Sequence, residues 1–317
     1  MNVKYLIREF SKSLGQIEVA LQTLLGKSID ENHQFTTDKE LGQKVGNLEG
    51  ANVFISGGSR GIGLEIAKRF ARDGANIVVA AKTTKAHPKL PGTIYTAADE
   101  IEKAGGRAIP LVVDIRDEKV VEDAVAEAVR ELGGLDIIIN NASAISLGTS
   151  QNTPVKKFDL MFDINVRGSF VLTKFAVPHL LKSKNPHILT LSPPINMDPK
   201  WFSAYGAYTS SKYAMSLMAK TFAEELRVHG IASNSLWPRT TIATAAVLNM
   251  DGGKLMEKRS RKPQIMADAA YEIVTRSAKT CTGNFFIDDE VLKIAGSASF
   301  EKYSCFPGSK LQQDLFL

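Results

Sequence analysis

A chain of 317 residues with 44% apolar and 23% charged positions has material for one large α/β domain or two small ones, with a sizeable core. Its 39 basic and 34 acidic residues leave a net charge of +5, and they are interspersed, so the concentrated basic face of a nucleic-acid binder is missing. Two cysteines, Cys281 and Cys305, with no CxxC spacing, exclude a disulfide scaffold and fit a reducing compartment.

From the start of the chain to about Leu25, apolar residues (Val3, Leu6, Ile7, Phe10, Leu14, Ile17, Leu21, Leu24, Leu25) recur at steps of three or four, the period of an amphipathic helix. Lys4, Arg8 and Lys12 with Ser11 and Ser13 give it the look of an organelle-targeting peptide, against which stand Glu9 and Glu18. The alternative is an extra helix that docks on the core or on a further protein. A polar, glycine-containing stretch, residues 26–48, reads as a linker.

Past residue 48 the pattern changes. Short apolar runs alternate with helical periodicity. The expected strands are Val53–Ser56, Asn76–Ala80, Ala108–Val113, Asp136–Asn140, His187–Leu191, Ala232–Leu236 and Asn284–Ile287. Helical stretches fall between them at Leu64–Arg72, Val120–Leu132, Val155–Leu181 and Tyr208–Val228. The runs at Ile77–Val79 and Ile137–Ile139 are apolar throughout, as strands covered on both faces require. This alternation predicts α/β architecture: a Rossmann-type, doubly wound parallel sheet of seven strands, helices on both faces, with right-handed crossovers. The division that follows is an N-terminal helical extension and linker (1–48), a dinucleotide-binding catalytic domain (49–295) and a tail (296–317). No run of roughly 18 apolar residues offers a membrane span. His33, His87, His179, His187 and His229 share no ligand spacing, so no metal is expected.

The first strand runs into Ser56-Gly57-Gly58-Ser59-Arg60-Gly61-Ile62-Gly63, and a helix follows. Glycines allow the tight turn and the close approach of backbone to a pyrophosphate, while the helix start offers unpaired N–H groups to the anion. The spacing is GxxxGxG. NAD-binding chains place an acid at the end of the second strand for the ribose hydroxyls. Here that place reads Val79-Ala80-Ala81-Lys82-Thr83. Lys82 and Arg60 would attract a 2′-phosphate, so NADP(H) is the expected cofactor. Asp114, ending the third strand, is placed to accept from the adenine amine.

Tyr208 and Lys212 lie four apart in a helical pattern and so share a face. A tyrosine, with a pKa of about 10, is a poor base at neutral pH. A neighbouring ammonium stabilises the phenolate and makes the pair a usable acid/base for a carbonyl–alcohol interconversion.

With Asn140-Asn141-Ala142 after the fourth strand and Ser192 ending the fifth, these motifs stand in order, and the chain from about residue 50 to 295 resembles the short-chain dehydrogenase/reductase family. Runs such as Ala80-Ala81-Lys82-Thr83, His87-Pro88-Lys89-Leu90 and Ser192-Pro193-Pro194 resemble its hydroxysteroid dehydrogenase-like branch, whose animal members often carry a C-terminal sterol-carrier domain; about 28 residues follow the last strand here, too few for one. The resemblance implies that Tyr208 is the acid/base, that Lys212 also binds the nicotinamide ribose, that Ser192 stabilises the developing oxyanion, and that Asn165 holds a proton-relay water. It places Asn141 and Ala142 on the adenosine side and Tyr208, Lys212 and Pro238 at the nicotinamide. It implies a homodimer or homotetramer through the helices flanking the fifth strand. Pro238-Arg239 stands where the family has Pro-Gly. Arg239 is therefore either a cation that meets an anionic substrate group or a surface arginine of the lid.

Residues 240–263 are expected to cover the substrate. Ile242, Val247, Leu248, Leu255 and Met256, with an insert bulging at Trp201 and Phe202, suggest an apolar pocket for a lipid-like carbonyl or alcohol. The rival reading is an idle reductase fold that binds NADPH as a structural subunit of an assembly, docked through residues 1–48. The compartment is left as mitochondrial matrix or cytoplasm; Asp314-Leu315-Phe316-Leu317 is not the peroxisomal S-K-L address.

Overall fold

The computed structural model describes residues 37–87, 90–249 and 252–317. The expected amphipathic helix lies outside these residues. In chain order the elements are α1 (Asp38–Leu41), β1 (Asn52–Ser56), α2 (Gly61–Ala71), β2 (Asn76–Ala81), α3 (Ile94–Lys103), β3 (Arg107–Val112), α4 (Glu118–Leu132), β4 (Ile137–Asn140), α5 (Val155–Met161), a π-helical turn (Phe162–Gly168), α6 (Ser169–Leu180), β5 (His187–Thr190), α7 (Pro199–Leu226), β6 (Ala232–Trp237), α8 (Ala245–Leu248), α9 (Gly253–Lys258), α10 (Gln264–Val274), β7 (Phe285–Ile287) and α11 (Asp288–Ile294).

All seven strands are parallel, in the order β3-β2-β1-β4-β5-β6-β7. Successive side chains of a strand point to opposite faces. Val53, Ile55, Ile77 and Val79 therefore pack on one side with Ile66 and Phe70 of α2 and Ile265 and Ile273 of α10. Phe54, Val78, Ile138 and Ile188 pack on the other with Val121 and Val125 of α4, Leu172 of α6 and Phe222 of α7. Each such buried side chain contributes about 1.5–3 kcal/mol. The two cores make the apolar runs of β2 and β4 necessary. Local signals set the helix ends: Asp117 caps α4 by accepting from Val120 N, and Gly133, at φ +81°, closes it in the left-handed conformation that glycine tolerates.

Strand order reverses between β1 and β4, which opens a crevice beyond their C-terminal ends. Four departures from the sequence reading bear on the site. Residues 37–48 do not hang as a linker: Leu41 and Leu48 are buried in the first core, and Gln43 and Val45 exchange backbone hydrogen bonds with Ser277 and Thr275. The long helix expected before β5 is interrupted by the π-helical turn. Trp201 and Phe202, expected as an insert bulging over the site, form the first turn of α7, before a kink at the non-helical Tyr205. Residues 311–317, left as a tail, return to the domain.

His187, the first residue of β5, is buried, its Nε2 against Arg276 O at 3.0 Å, and burial lowers its pKa from 6.5 to about 4. Above pH 6.5 both folded and unfolded chains hold it neutral. Between 6.5 and 4 only the unfolded chain takes the proton, so stability falls with pH and levels off below 4. Urea midpoints are expected to show a loss of roughly 2 kcal/mol between pH 6.5 and 5 that is absent in His187→Gln.

Candidate active site

The glycine turn is held by its neighbours. Ser56 Oγ donates to Ile139 O (3.2 Å) and accepts from Asn141 N and Ala142 N (3.1 Å each). Asn141 Nδ2 donates to Ser56 O and Gly57 O at 2.9 Å. The hydroxyl at position 56 thus stitches β1 to the end of β4. Gly57 and Gly61 have φ of +69° and +58°, which a β-carbon would strain. Gly63 answers a different need, since a Cβ there would lie 2.5 Å from Asn141 Nδ2 and 2.7 Å from Gly57 O.

A cavity of about 440 Å³ opens over this turn. Of the expected cofactor residues it is lined by Gly57, Ser59, Arg60, Gly61, Ile62, Lys82, Asp114, Asn141 and Ala142. Gly58, Gly63, Tyr208, Lys212 and Pro238 lie outside its lining. The start of α2 faces it without a side-chain cap from Arg60 and without an acid in the first turn, so its N–H groups stay available to an anion. This fits a dinucleotide pyrophosphate.

Arg60 donates from Nε to Pro91 O (3.1 Å) and from Nη2 to Gly92 O (2.8 Å), pinning that loop to the rim. Lys82 is exposed and has no hydrogen-bond partner among the described residues. The carboxylate of Asp114 is bonded by Arg116 (Nε–Oδ1 2.9 Å, Nη2–Oδ2 2.5 Å), which holds its pKa at about 2. Sequence reasoning missed Leu90, Ser143 and Thr244–Ala246 as walls. The last three show that the lid also covers the dinucleotide crevice, a contact no local pattern announces.

Lys212 and Ser192 lie together at the end of β5, where Lys212 bonds Leu191 O, and Tyr208 precedes Lys212 by one helical turn on α7. Lys212 is buried; its Nζ donates to Leu191 O at 2.6 Å, contacts Met215 Sδ at 3.3 Å and lies 5.0 Å from the Trp237 ring. Burial lowers its pKa to about 7. Ser192 Oγ donates to Ser235 Oγ at 2.9 Å. The Tyr208 hydroxyl has no hydrogen-bond partner among the described residues. Burial raises the phenol's pKa, with the Asp314 carboxyl adding to the effect, so the phenol departs from its ordinary value in the direction opposite to that expected from the Tyr–Lys pairing. The reason is that burial penalises the charged phenolate, and Lys212 supplies no offsetting effect.

Asn165 sits in the π-helical turn, a feature frequent at functional sites. Its Oδ1 accepts from Ala144 N (2.7 Å) and Ser143 Oγ (3.1 Å), and its Nδ2 donates to Ala144 O (3.0 Å) and Ser211 Oγ (3.1 Å). That saturates the amide. The expected water-holding role therefore does not fall to its side chain, which instead ties the loop after β4 to the residue preceding Lys212.

Arg239 does not face the substrate side. Its Nε meets Asp289 Oδ1 at 3.1 Å, its Nη2 meets Glu290, and its backbone N donates to Asp288 Oδ1 at 2.8 Å. It neutralises the acidic start of α11, a structural task that three consecutive acids could have suggested. Of the lid's apolar residues, Ile242 is buried in the first core while Leu248 and Leu255 are exposed. The apolar wall around Tyr208 is built instead from Met161, Trp201, Tyr213, Trp237, Ile287 and Phe316.

Comparison with known proteins bears on the family and the fold. Residues 51–251 match the family model described as short chain dehydrogenase. The hydroxysteroid dehydrogenase-like protein 2 of Danio rerio is 54% identical over 275 residues, which are 87% of this chain and 66% of the relative, so the chain spans somewhat less than two thirds of that protein. A crystal structure of a short chain dehydrogenase from Mycobacterium thermoresistibile is 54% identical, covers 86% of this chain and 96% of its own, and superposes with a TM-score of 0.82. A short chain dehydrogenase of Mycobacterium paratuberculosis bound to NAD is 25% identical, covers 78% and 100%, and gives a TM-score of 0.65.

Proposed function

The chain belongs to the short-chain dehydrogenase family, and within it we propose an NADP(H)-dependent oxidoreductase that interconverts the carbonyl and alcohol of an apolar, lipid-like substrate, with Tyr208 as acid/base. The observation that supports the chemistry is a buried phenol with no hydrogen-bond partner among the described residues, one helical turn before a buried lysine that bonds Leu191 O beside the Ser192 hydroxyl. The observation behind the cofactor preference is Lys82 at the end of β2, on a cavity wall where the one carboxylate among the described lining residues, Asp114, is already neutralised by Arg116.

A bound nicotinamide dinucleotide supplies the hydride. The chain's own residues handle the proton and the charge. Ser192 turns its hydroxyl from Ser235 toward the substrate oxygen and stabilises negative charge there. Tyr208 gives its proton to that oxygen in reduction and takes it back in oxidation. Lys212, with a pKa near 7, is poised to become fully cationic once a phenolate forms beside it, and each charge then stabilises the other. Asn165, through Ser211, fixes the helix turn that carries both residues. Exposed Val155, Phe158, Phe170 and Leu217 on α5, α6 and α7 support assembly into a homo-oligomer through those helices.

The test is NADPH consumption by the full chain against medium- and long-chain aldehydes, ketones and acyl thioesters. Turnover of the apolar members is expected. Turnover confined to small polar sugars would overturn the substrate assignment.

A further inference from the structure

The aromatic wall around Tyr208 is closed by the chain itself. Phe316 is fully buried, and its ring centroid lies 5.3 Å from that of Tyr213, 5.6 Å from Trp201, 5.8 Å from Trp237 and 6.0 Å from Tyr208. Its φ is +73°, a left-handed conformation that a bulky side chain adopts only when its surroundings enforce it. Two side chains clamp the backbone there: Asn196 Nδ2 donates to Phe316 O (3.2 Å), and Trp237 Nε1 donates to Leu315 O (2.9 Å).

With Phe316 in place, Tyr208 is 6% exposed, Lys212 2% and Ser192 0%. The cavity over the glycine turn reaches Ser143 and Ile164 and includes none of the three. In this arrangement Phe316 packs against the phenol ring, and the cavity lining stops short of Tyr208. The aromatic space that a hydrocarbon would need beside Tyr208 exists, and a residue of this chain fills it.

We propose that residues 311–317 act as an internal stand-in for substrate: Phe316 occupies the apolar subsite formed by Trp201, Tyr213 and Trp237, and an apolar substrate reaches Tyr208 by displacing it. The proposal rests on the assignment of Tyr208 as the reacting group. The segment's backbone partners point to how it moves. Gln312 pairs with Arg259 and Thr241, Gln313 with Thr240 and Asp314 with Arg239, all in the stretch that runs into the lid. Arg239 and Ile242 hold that stretch to α11 and the first core, so the segment moves by releasing these backbone pairs. Asp314 leaves with the segment, and the carboxyl whose negative charge disfavours a phenolate at Tyr208 departs as the substrate enters.

The chain has two tryptophans, and both touch Phe316. Acrylamide quenching of their emission reads the subsite without any turnover. In the NADPH-loaded full chain, dodecanal is expected to change this quenching in saturable fashion, and Phe316→Ala is expected to raise kcat/KM for dodecanal about tenfold, with little change for acetaldehyde. Deletion of residues 311–317 is expected to behave like Phe316→Ala, with NADPH affinity and circular dichroism unaltered. Dodecanal that leaves the quenching of the wild type unchanged overturns the stand-in. So does a kcat/KM for dodecanal that is unchanged or lower in Phe316→Ala, since Phe316 is then a fixed wall. Undiminished turnover in Tyr208→Phe would instead sink the acid/base assignment, whatever the quenching shows.

Discussion

Tyr208→Phe is expected to lower kcat/KM by about 10²- to 10⁴-fold while NADPH affinity stays within a small factor of wild type. The hydroxyl has no hydrogen-bond partner among the described residues, so its removal breaks no bond that holds the fold. The ring stays among Trp201, Tyr213, Trp237 and Phe316, so packing is retained. Thermal unfolding should therefore show no loss of stability. That combination, chemistry lost and fold kept, separates a reacting phenol from a packing one. NADPH absorbance gives the rate, quenching of intrinsic fluorescence by NADPH gives the affinity, and a melting curve gives the fold. A variant that loses stability and activity together would make Tyr208 a core residue.

Lys82→Glu is the second large effect. Lys82 is exposed on the cavity wall, with no hydrogen-bond partner among the described residues, so each unit of charge there is screened and is worth about 1 kcal/mol against a nearby phosphate. Reversing the sign changes two units, and NADPH affinity should fall roughly 30-fold, with NADH affinity unchanged or slightly higher. Arg60 does not replace the lost cation, because its guanidinium is held on Pro91 O and Gly92 O. The preference should weaken in wild type as salt rises, since the pair is open to solvent. Equal losses for both dinucleotides would mean that position 82 does not meet the 2′-phosphate.

Much of the fold is legible because its causes are local. Strands buried on both faces must be short continuous apolar runs, and the seven that the sequence offers match the seven observed to within a residue at most ends. The glycine turn is legible for the same reason: positive φ at Gly57 and Gly61 demands glycine, and the cavity lies where the turn points. The face shared by Tyr208 and Lys212 follows from helical spacing alone.

The rest depends on contacts between distant residues. Nothing local at Asp314-Leu315-Phe316-Leu317 says that Phe316 will bury against Trp201 and Trp237, which lie far away in sequence. The fate of Arg239 is set by Asp289 and Glu290 at the start of α11, and only their joint appearance as a run of acids hinted at a cation partner. The direction of the Tyr208 shift was misjudged because spacing reports proximity and not desolvation. Burial of the phenol penalises its charged form, and that effect sets the direction. The π-helical turn at Asn165 likewise arises from packing against α7 and the loop after β4.

The central claim is that Tyr208 protonates a carbonyl oxygen as its carbon receives hydride. Mass spectrometry on products formed from NADPH carrying deuterium at the transferable position, with a mixture of apolar aldehydes and ketones, addresses it directly. The wild-type chain should yield an alcohol with deuterium on the carbinol carbon, and Tyr208→Phe should yield little or none. Full label in the product of Tyr208→Phe, or NADPH bound by the wild type with no label passed to any carbonyl, would contradict it.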